Sequence, residues 1–144
     1  MTSPALTTQA EKNAHYRAVL ATYVQLVTAR EVEAILLLFA SDAILEDPVG
    51  AGRPVIGVEA LRDFYTKICD RGLTLRIDGH ISCARANVAC APIRIDADTS
   101  ITRAISVAYF DEQGLITRYD AHWGPGDIER LDEDRGRPTD VAPT

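Results

Sequence analysis

The 144-residue chain lacks several features that would identify a partner or a compartment. Its fifteen lysines and arginines are scattered, and the net charge is −6, which argues against a nucleic-acid partner because phosphate contacts need clustered cations. No apolar run is long enough to span a bilayer, and residues 1–10 have neither the cationic flank nor the apolar centre of a secretory signal. We therefore expect a cytoplasmic protein that binds neither nucleic acid nor membrane.

Cysteine and histidine are also scarce, with three residues of each. Cys69, Cys83 and Cys90 show no CxxC spacing and the histidines add no ligand pattern, so nothing in the sequence indicates a zinc site. A glycine-rich phosphate loop is missing as well. These absences predict reduced thiols and an activity that needs no metal and no cofactor.

Hydrophobic residues make up 47% of the chain, enough for one core, and their spacing changes period halfway along. Helical spacing predicts helices over 11–29, 32–40 and 58–69. Alternation and short apolar runs predict strands over 43–47, 73–81, 88–95, 101–109 and 115–123. Helices followed by an antiparallel meander indicate one α+β domain over 11–126, between a flexible leader (1–10) and a flexible polar tail (127–144).

An acidic pair, Glu46 and Asp47, follows the apolar run 43–45 and precedes Pro48 and Gly50. Burial where a strand gives way to a turn raises a carboxyl pKa toward the range that suits proton transfer. On spacing alone, a solvated turn acid explains the pattern better than a general base. Strand alternation predicts that the Glu46 side chain points away from that of Asp47.

A row of small side chains lies on one face of the predicted strand 101–109: Thr102, Ala104, Ser106 and Ala108. Opposite the helices, such a row leaves either an unfilled cavity that can take a ligand or room for close helix packing. The sequence leaves both readings open.

Taken together, these residues resemble the ketosteroid isomerases, within the superfamily of nuclear transport factor 2, scytalone dehydratase and small polyketide cyclases. The segments that carry the resemblance are 34–50, 57–65, 110–116 and 122–124. The resemblance implies a cone-shaped, curved, mixed but mainly antiparallel sheet. That sheet would wrap around three helices from the first half of the chain and enclose a hydrophobic pocket.

The resemblance also implies roles for individual residues. Asp47 stands where the isomerases have their general base, and Tyr23 where a tyrosine donates to the developing oxyanion. Tyr65 matches a tyrosine that supports this donor, and Trp123 an aromatic residue beside the base. Asp47 and Tyr23 are therefore the predicted catalytic residues.

Two pocket positions depart from the isomerase pattern. Ser106 replaces a protonated carboxylic acid of the oxyanion hole, and Phe39 stands where some isomerases have a second supporting tyrosine. Losing one good oxyanion donor costs about 10²–10³ in rate, so efficient steroid isomerisation is doubtful. The predicted substrate pocket comprises Tyr65, Ser106, Trp123 and Phe39.

The segments 45–50, 60–62 and 119–127 are more similar to small actinomycete enzymes that close rings on polyketides, some by opening epoxides. In those enzymes a glutamate tends to follow the aromatic residue of the third helix, whereas Thr66 follows Tyr65 here. Asp63 and Asp98 are candidate substitutes for that acid, and nothing in the sequence places them.

We therefore predict a cofactor-independent cyclase or isomerase that acts on a hydrophobic polyketide-type ketone in antibiotic or related natural-product biosynthesis. The partner is the hydrophobic small-molecule substrate, and by analogy the protein forms a homodimer through an exposed sheet face. Two alternatives stay open: a 3-ketosteroid isomerase, and a non-catalytic module that binds a ligand or a protein partner.

Overall fold

The computed structural model describes residues 8–131, which form three α-helices and one curved, unclosed sheet of eight strands. The helices are α1 (Gln9–Thr28), α2 (Val32–Leu36) and α3 (Val58–Asp70). The strands are β1 (Phe39–Glu46), β2 (Val55–Ile56), β3 (Thr74–Ile77), β4 (Ser82–Cys83), β5 (Val88–Asp96), β6 (Ser100–Phe110), β7 (Ile116–His122) and β8 (Ile128–Arg130).

The sheet runs in the order β2-β1-β7-β6-β5-β3, while β4 also pairs with β5 and β8 with β6. The pairing is antiparallel except between β1 and β7, which run parallel. A parallel pair needs a long crossover, and here the helix α3 and the meander β3–β6 supply it. The predicted α+β class with a mixed, curved sheet is confirmed.

Helix α1 begins with a capping box in which the Thr8 hydroxyl accepts from the Glu11 amide and the Glu11 carboxylate accepts from the Thr8 amide. Its apolar stripe is buried against the sheet, and the Tyr16 ring stacks on Phe110 with centroids 4.1 Å apart. The helix starts at Gln9, so the last two residues of the expected leader 1–10 belong to α1.

The prediction of a helix over 32–40 is wrong in its second half, because α2 ends at Leu36 and β1 begins at Phe39. The Leu38 carbonyl accepts from the Ile116 amide, and Phe39 is the ladder partner of Ile116. Pairing with β7 therefore captures a segment whose leucines favour a helix, which is a tertiary override of local propensity.

The predicted strand 73–81 is wrong in its second half, because β3 ends at Ile77 and the next strand, β4, begins only at Ser82. Pairing of β3 with β5 ends at Ile77 opposite Ile93, since Pro92 has no amide to continue the ladder. Gly79 turns the chain there, with φ +153°, and pairing resumes at Ser82 opposite Cys90.

The start of the predicted polar tail also belongs to the sheet, because Ile128–Arg130 forms β8 beside the first residues of β6. The rest of the expected tail, 132–144, and residues 1–7 of the expected leader lie outside the described residues. Within 8–131, no helix is both long enough and apolar enough to cross a bilayer.

Gly114, in the turn between β6 and β7, should tolerate no side chain. Its φ is +82°, and an added Cβ would collide with the imidazole of His15, whose Nε2 donates to the Gly114 carbonyl at 2.8 Å. We expect Gly114→Ala to lower the unfolding free energy by about 1–3 kcal/mol, measured by urea denaturation. Gly52→Ala is the control, since nothing lies within 4 Å of that position. Equal stability of the two variants would contradict the steric argument.

Candidate active site

Two strand ends bring the site together. Asp47 comes directly after β1 and Trp123 directly after β7, and these strands are parallel neighbours with Leu45 opposite Tyr119. The Val49 amide donates to the Ala121 carbonyl at 2.9 Å, which extends the contact past the last ladder pair. Because neighbouring parallel strands end at the same edge of a sheet, the two side chains emerge side by side on the inner face.

The indole N–H of Trp123 donates to Oδ1 of Asp47 at 2.8 Å. Among residues 8–131, no donor is hydrogen-bonded to Oδ2, so that oxygen can accept a proton. Burial raises the pKa of Asp47 above its usual value, while the Trp123 hydrogen bond and the positive charge of Arg71 oppose the shift. The result is a carboxylate that is desolvated, oriented and more basic than an exposed aspartate.

Asp47 and Trp123 border a partly open cavity of about 280 Å³, close to the lower end of the usual range for ligand pockets. Most of the remaining wall is apolar: Phe64, Ile68, Leu73, Ile95, Ala97 and Ile128. Its polar and charged members are Arg71, Ser100, Thr102 and Arg130. A mainly hydrophobic ligand with few polar groups fits such a wall, and among residues 8–131 Asp47 is the only carboxylate in it.

Behind this wall lies a buried tyrosine cluster. The hydroxyls of Tyr23 and Tyr65 are 2.8 Å apart, and the Tyr119 hydroxyl donates to Ser106 Oγ at 2.7 Å. The rings of Tyr23 and Tyr119 lie with centroids 4.9 Å apart, which joins the two pairs. Burial raises the pKa of all three phenols, and the charge of Asp47 raises each of them further. The phenols therefore stay protonated, within electrostatic reach of Asp47.

The structure separates the predicted site residues into two groups. Asp47 and Trp123 border the cavity, whereas Tyr23, Tyr65, Ser106 and Phe39 belong to the core behind it. The Phe39 ring packs in the tyrosine cluster, 5.9 Å from the ring of Tyr65 between centroids. The roles of these four residues in substrate binding stay predictions.

The row of small side chains on β6 opens into the cavity at Thr102 alone. Ala104, Ser106 and Ala108 are buried, and the Tyr119 side chain fills the room over Ser106. The row therefore borders a cavity at Thr102 and allows close packing at Ala104, Ser106 and Ala108.

Sequence reasoning missed Tyr119, Arg71 and Arg130. Tyr119 had a signal, because it shares the inner face of the last strand and lies diagonally opposite Ser106, whose ladder partner is Ala121. Arg71 reads as an ordinary residue at the end of a helix, and Arg130 lies in the segment expected to be a flexible tail. Only the pairing of β8 with β6 places Arg130 at the cavity.

The remaining acidic candidates lie away from the cavity. Glu46 accepts from Arg118, which confirms that its side chain points away from Asp47. His122 is exposed as well. Asp63 and Asp98 are exposed and outside the cavity wall, so neither has a place as general acid.

Within 8–131, no group of three or more His, Cys, Asp and Glu residues is arranged to hold a metal ion.

Comparisons with known proteins agree with this geometry. Residues 20–119 match the model of the SnoaL-like domain family. The Steroid Delta-isomerase of Nocardioides simplex is 34% identical over 126 residues, which cover 81% of this chain and 95% of that protein. The solved structure of SalBIII, an epoxide hydrolase/cyclase-like enzyme described in pyran ring formation in the polyether salinomycin, has a similar fold. Its TM-score is 0.75 at 23% identity, over 81% of this chain and 95% of that one.

Removing the indole donor should make Asp47 more basic. In Trp123→Phe the hydrogen bond that lowers the Asp47 pKa is lost while burial still raises it, so we expect the pKa to rise. Carboxyl ¹³C chemical shifts followed against pH measure the change, with the other carboxyl groups as internal reference. An unchanged or lower Asp47 pKa would show that Trp123 does not stabilise the ionised form.

Proposed function

The chain belongs to the SnoaL-like domain family, within the ketosteroid isomerase-like superfamily, and from this we propose that it is a cofactor-independent cyclase or isomerase of a hydrophobic, polyketide-type ketone. One observation carries the proposal most directly. A half-buried carboxylate, held through one oxygen by Trp123, borders a mainly apolar cavity with its other oxygen unbonded among the described residues. That is the arrangement that a general base for carbon acids needs.

In the proposed reaction, Asp47 takes a proton from the carbon next to a ketone. The C–H bond breaks, its electron pair moves to the carbonyl oxygen, and Asp47 becomes a carboxylic acid. For ring closure, the enolate carbon then forms a bond to a second carbonyl carbon of the same chain, and the proton goes to that carbonyl's oxygen. For isomerisation, Asp47 returns the proton to a different carbon.

Tyr23 is the proposed donor to the enolate oxygen. Its pKa is well above that of a free phenol because of burial, and its hydroxyl is fixed by the hydrogen bond to Tyr65. Tyr23 lies behind the cavity wall, so the carbonyl oxygen reaches it only if the cavity extends past Asp47 into the tyrosine cluster. Preorganised donors of this kind are worth about 10²–10³ in rate.

A 3-ketosteroid isomerase is the second candidate, favoured by the 34% identity to the Nocardioides Steroid Delta-isomerase. Two features weigh against it. A serine stands where a carboxylic acid donor would act, and the buried Tyr119 hydroxyl, which donates to Ser106 Oγ at 2.7 Å, occupies the space beside it. Isomerisation of 5-androstene-3,17-dione, followed by ultraviolet absorbance, separates the two reactions.

We further propose that two copies associate through the outer face of the sheet. On β6, Ile105 is 49% exposed and Tyr109 is 36% exposed, and both point away from the helices. Apolar side chains on a solvated sheet face are common in subunit contacts.

Ile105→Glu should therefore shift the protein toward monomer, because a charge placed in an apolar contact is desolvated without a partner. Light scattering after size exclusion measures the mass, and Leu37→Glu is the control on an exposed leucine (78% exposed) outside the sheet. A monomeric wild-type protein would rule out the association.

The catalytic proposal is tested by the pair Asp47→Asn and Glu46→Gln. Wild-type protein should accelerate deuterium exchange at the carbons next to the carbonyl of 2-decalone, seen by ¹H NMR in D₂O. Asp47→Asn should lose about 10²–10⁴ of that rate, because the base is gone. Glu46→Gln should keep it, since that carboxylate points to the other face and pairs with Arg118. An active Asp47→Asn protein would refute the base assignment.

Stability measurements show whether Asp47→Asn is folded. The pKa of Asp47 is higher in the folded than in the unfolded chain, so stability falls as pH rises from the unfolded pKa to the folded one. Above that window the ionised group destabilises the fold, by about 1.4 kcal/mol for each pH unit between the two pKa values. Asp47→Asn should therefore be at least as stable as wild type at pH 7.

If wild-type protein catalyses no deuterium exchange at all, a non-catalytic binding module explains the fold better than an enzyme does.

A further inference from the structure

Two arginines in the cavity wall lack a carboxylate partner among residues 8–131. Arg62, Arg94, Arg103 and Arg118 each form an ion pair there. Arg71, at the end of α3, and Arg130, at the end of β8, border the cavity and form none with the described residues. A guanidinium group offers a planar fork of donors that matches a carboxylate, so two unpaired ones at a cavity favour an anionic ligand group.

Three acids near these arginines are engaged elsewhere, and Asp70, the residue before Arg71, forms no ion pair with it. Glu129 precedes Arg130 but pairs with Arg103, and Asp96, before the cavity residue Ala97, pairs with Arg94. Asp47 borders the same cavity but accepts from Trp123, and Arg71 acts on it only through its charge. None of these carboxylates occupies the guanidinium groups that border the cavity.

A third cation reinforces the positive charge beside Arg71. The Arg30 guanidinium lies so close to Gly72, the residue after Arg71, that a Cβ there would approach its Nη2 to 2.7 Å. This concentration of positive charge stands against a net charge of −6 for the whole chain. Positive side chains at a cavity attract anions to it.

We propose that the substrate carries a carboxylate, which Arg71 and Arg130 bind at one part of the cavity while its apolar body lies against Ile68 and Leu73. The proposal rests on the proposed function and narrows its substrate class, from a hydrophobic ketone to a hydrophobic keto acid. When the arginines bind the substrate's carboxylate, the distance from that carboxylate decides which substrate carbon lies next to Asp47. The arginines would thus select both the substrate and the position of proton removal.

The single tryptophan provides the assay, because Trp123 borders the cavity and its fluorescence reports occupancy. The probes are 4-cyclohexylbutanoic acid and its methyl ester, which differ in charge and hardly in apolar surface. At pH 7.5 and low salt, we expect the acid to bind about tenfold or more tightly than the ester. Raising the salt concentration should weaken binding of the acid alone, since partly exposed charges are screened.

Substitutions assign the effect to the two side chains. Arg71→Gln and Arg130→Gln should each weaken acid binding about three- to tenfold and leave ester binding within twofold. Arg76→Gln is the control, an exposed arginine on β3 outside the cavity wall, and should change neither. Equal affinity for acid and ester, failure of both to bind, or acid binding that survives the double substitution would each overturn the proposal.

The outcome is separate from that of the catalytic proposal. Asp47→Asn removes a negative charge from the cavity, so the acid should bind it at least as well as it binds wild type. Selective acid binding together with an active Asp47→Asn protein would refute the base and keep the anion site. If Asp47→Asn is inactive and the wild-type protein does not prefer the acid to the ester, the base assignment stands and the anion site is refuted.

Discussion

The parallel pairing of β1 with β7 is the constraint on which the site depends. It sets Asp47 beside Trp123 at one edge of the sheet, where the indole N–H can hold one carboxylate oxygen. The same pairing captures Leu38 and Phe39 from the helix predicted over 32–40 and so fixes where the first strand begins. Because strand parity is strict, it also sends Glu46 outward to Arg118 and Asp47 inward to the cavity. One register therefore decides which of two adjacent acids can act as a base.

The sequence predicted the elements whose signals are local. The apolar stripe of α1, the third helix and the alternation along β6 and β7 all appear within a few residues of the expected bounds. The elements it misplaced depend on a distant partner. The end of α2 depends on Ile116, the break after β3 on Pro92, and β8 on the first residues of β6.

The site divides along the same line. Asp47 and Trp123 stand out by motif and by resemblance, and the structure places them together. Tyr119 could have been noticed from its register, while Arg130 could not, since its segment has a tail-like composition and enters the sheet only through long-range pairing. The extent of the cavity was equally out of reach, because Thr102, Ile128 and Arg130 of its wall come together only through the pairing of β8 with β6.

The pairing of Tyr119 with Ser106 also bears on what chemistry the site can support. A serine alone opposite the helices would leave a polar hollow, whereas the bonded pair closes it with a ring packed against Tyr23. Every buried side-chain nitrogen and oxygen in residues 8–131 has a partner, so the cluster is stable without a ligand. A substrate carbonyl that reaches Tyr23 must enter this closed cluster, while one that stops at Asp47 need not. In the proposed reaction, this asymmetry makes proton removal at Asp47 the step that the resting structure favours, and oxyanion donation the step that requires rearrangement.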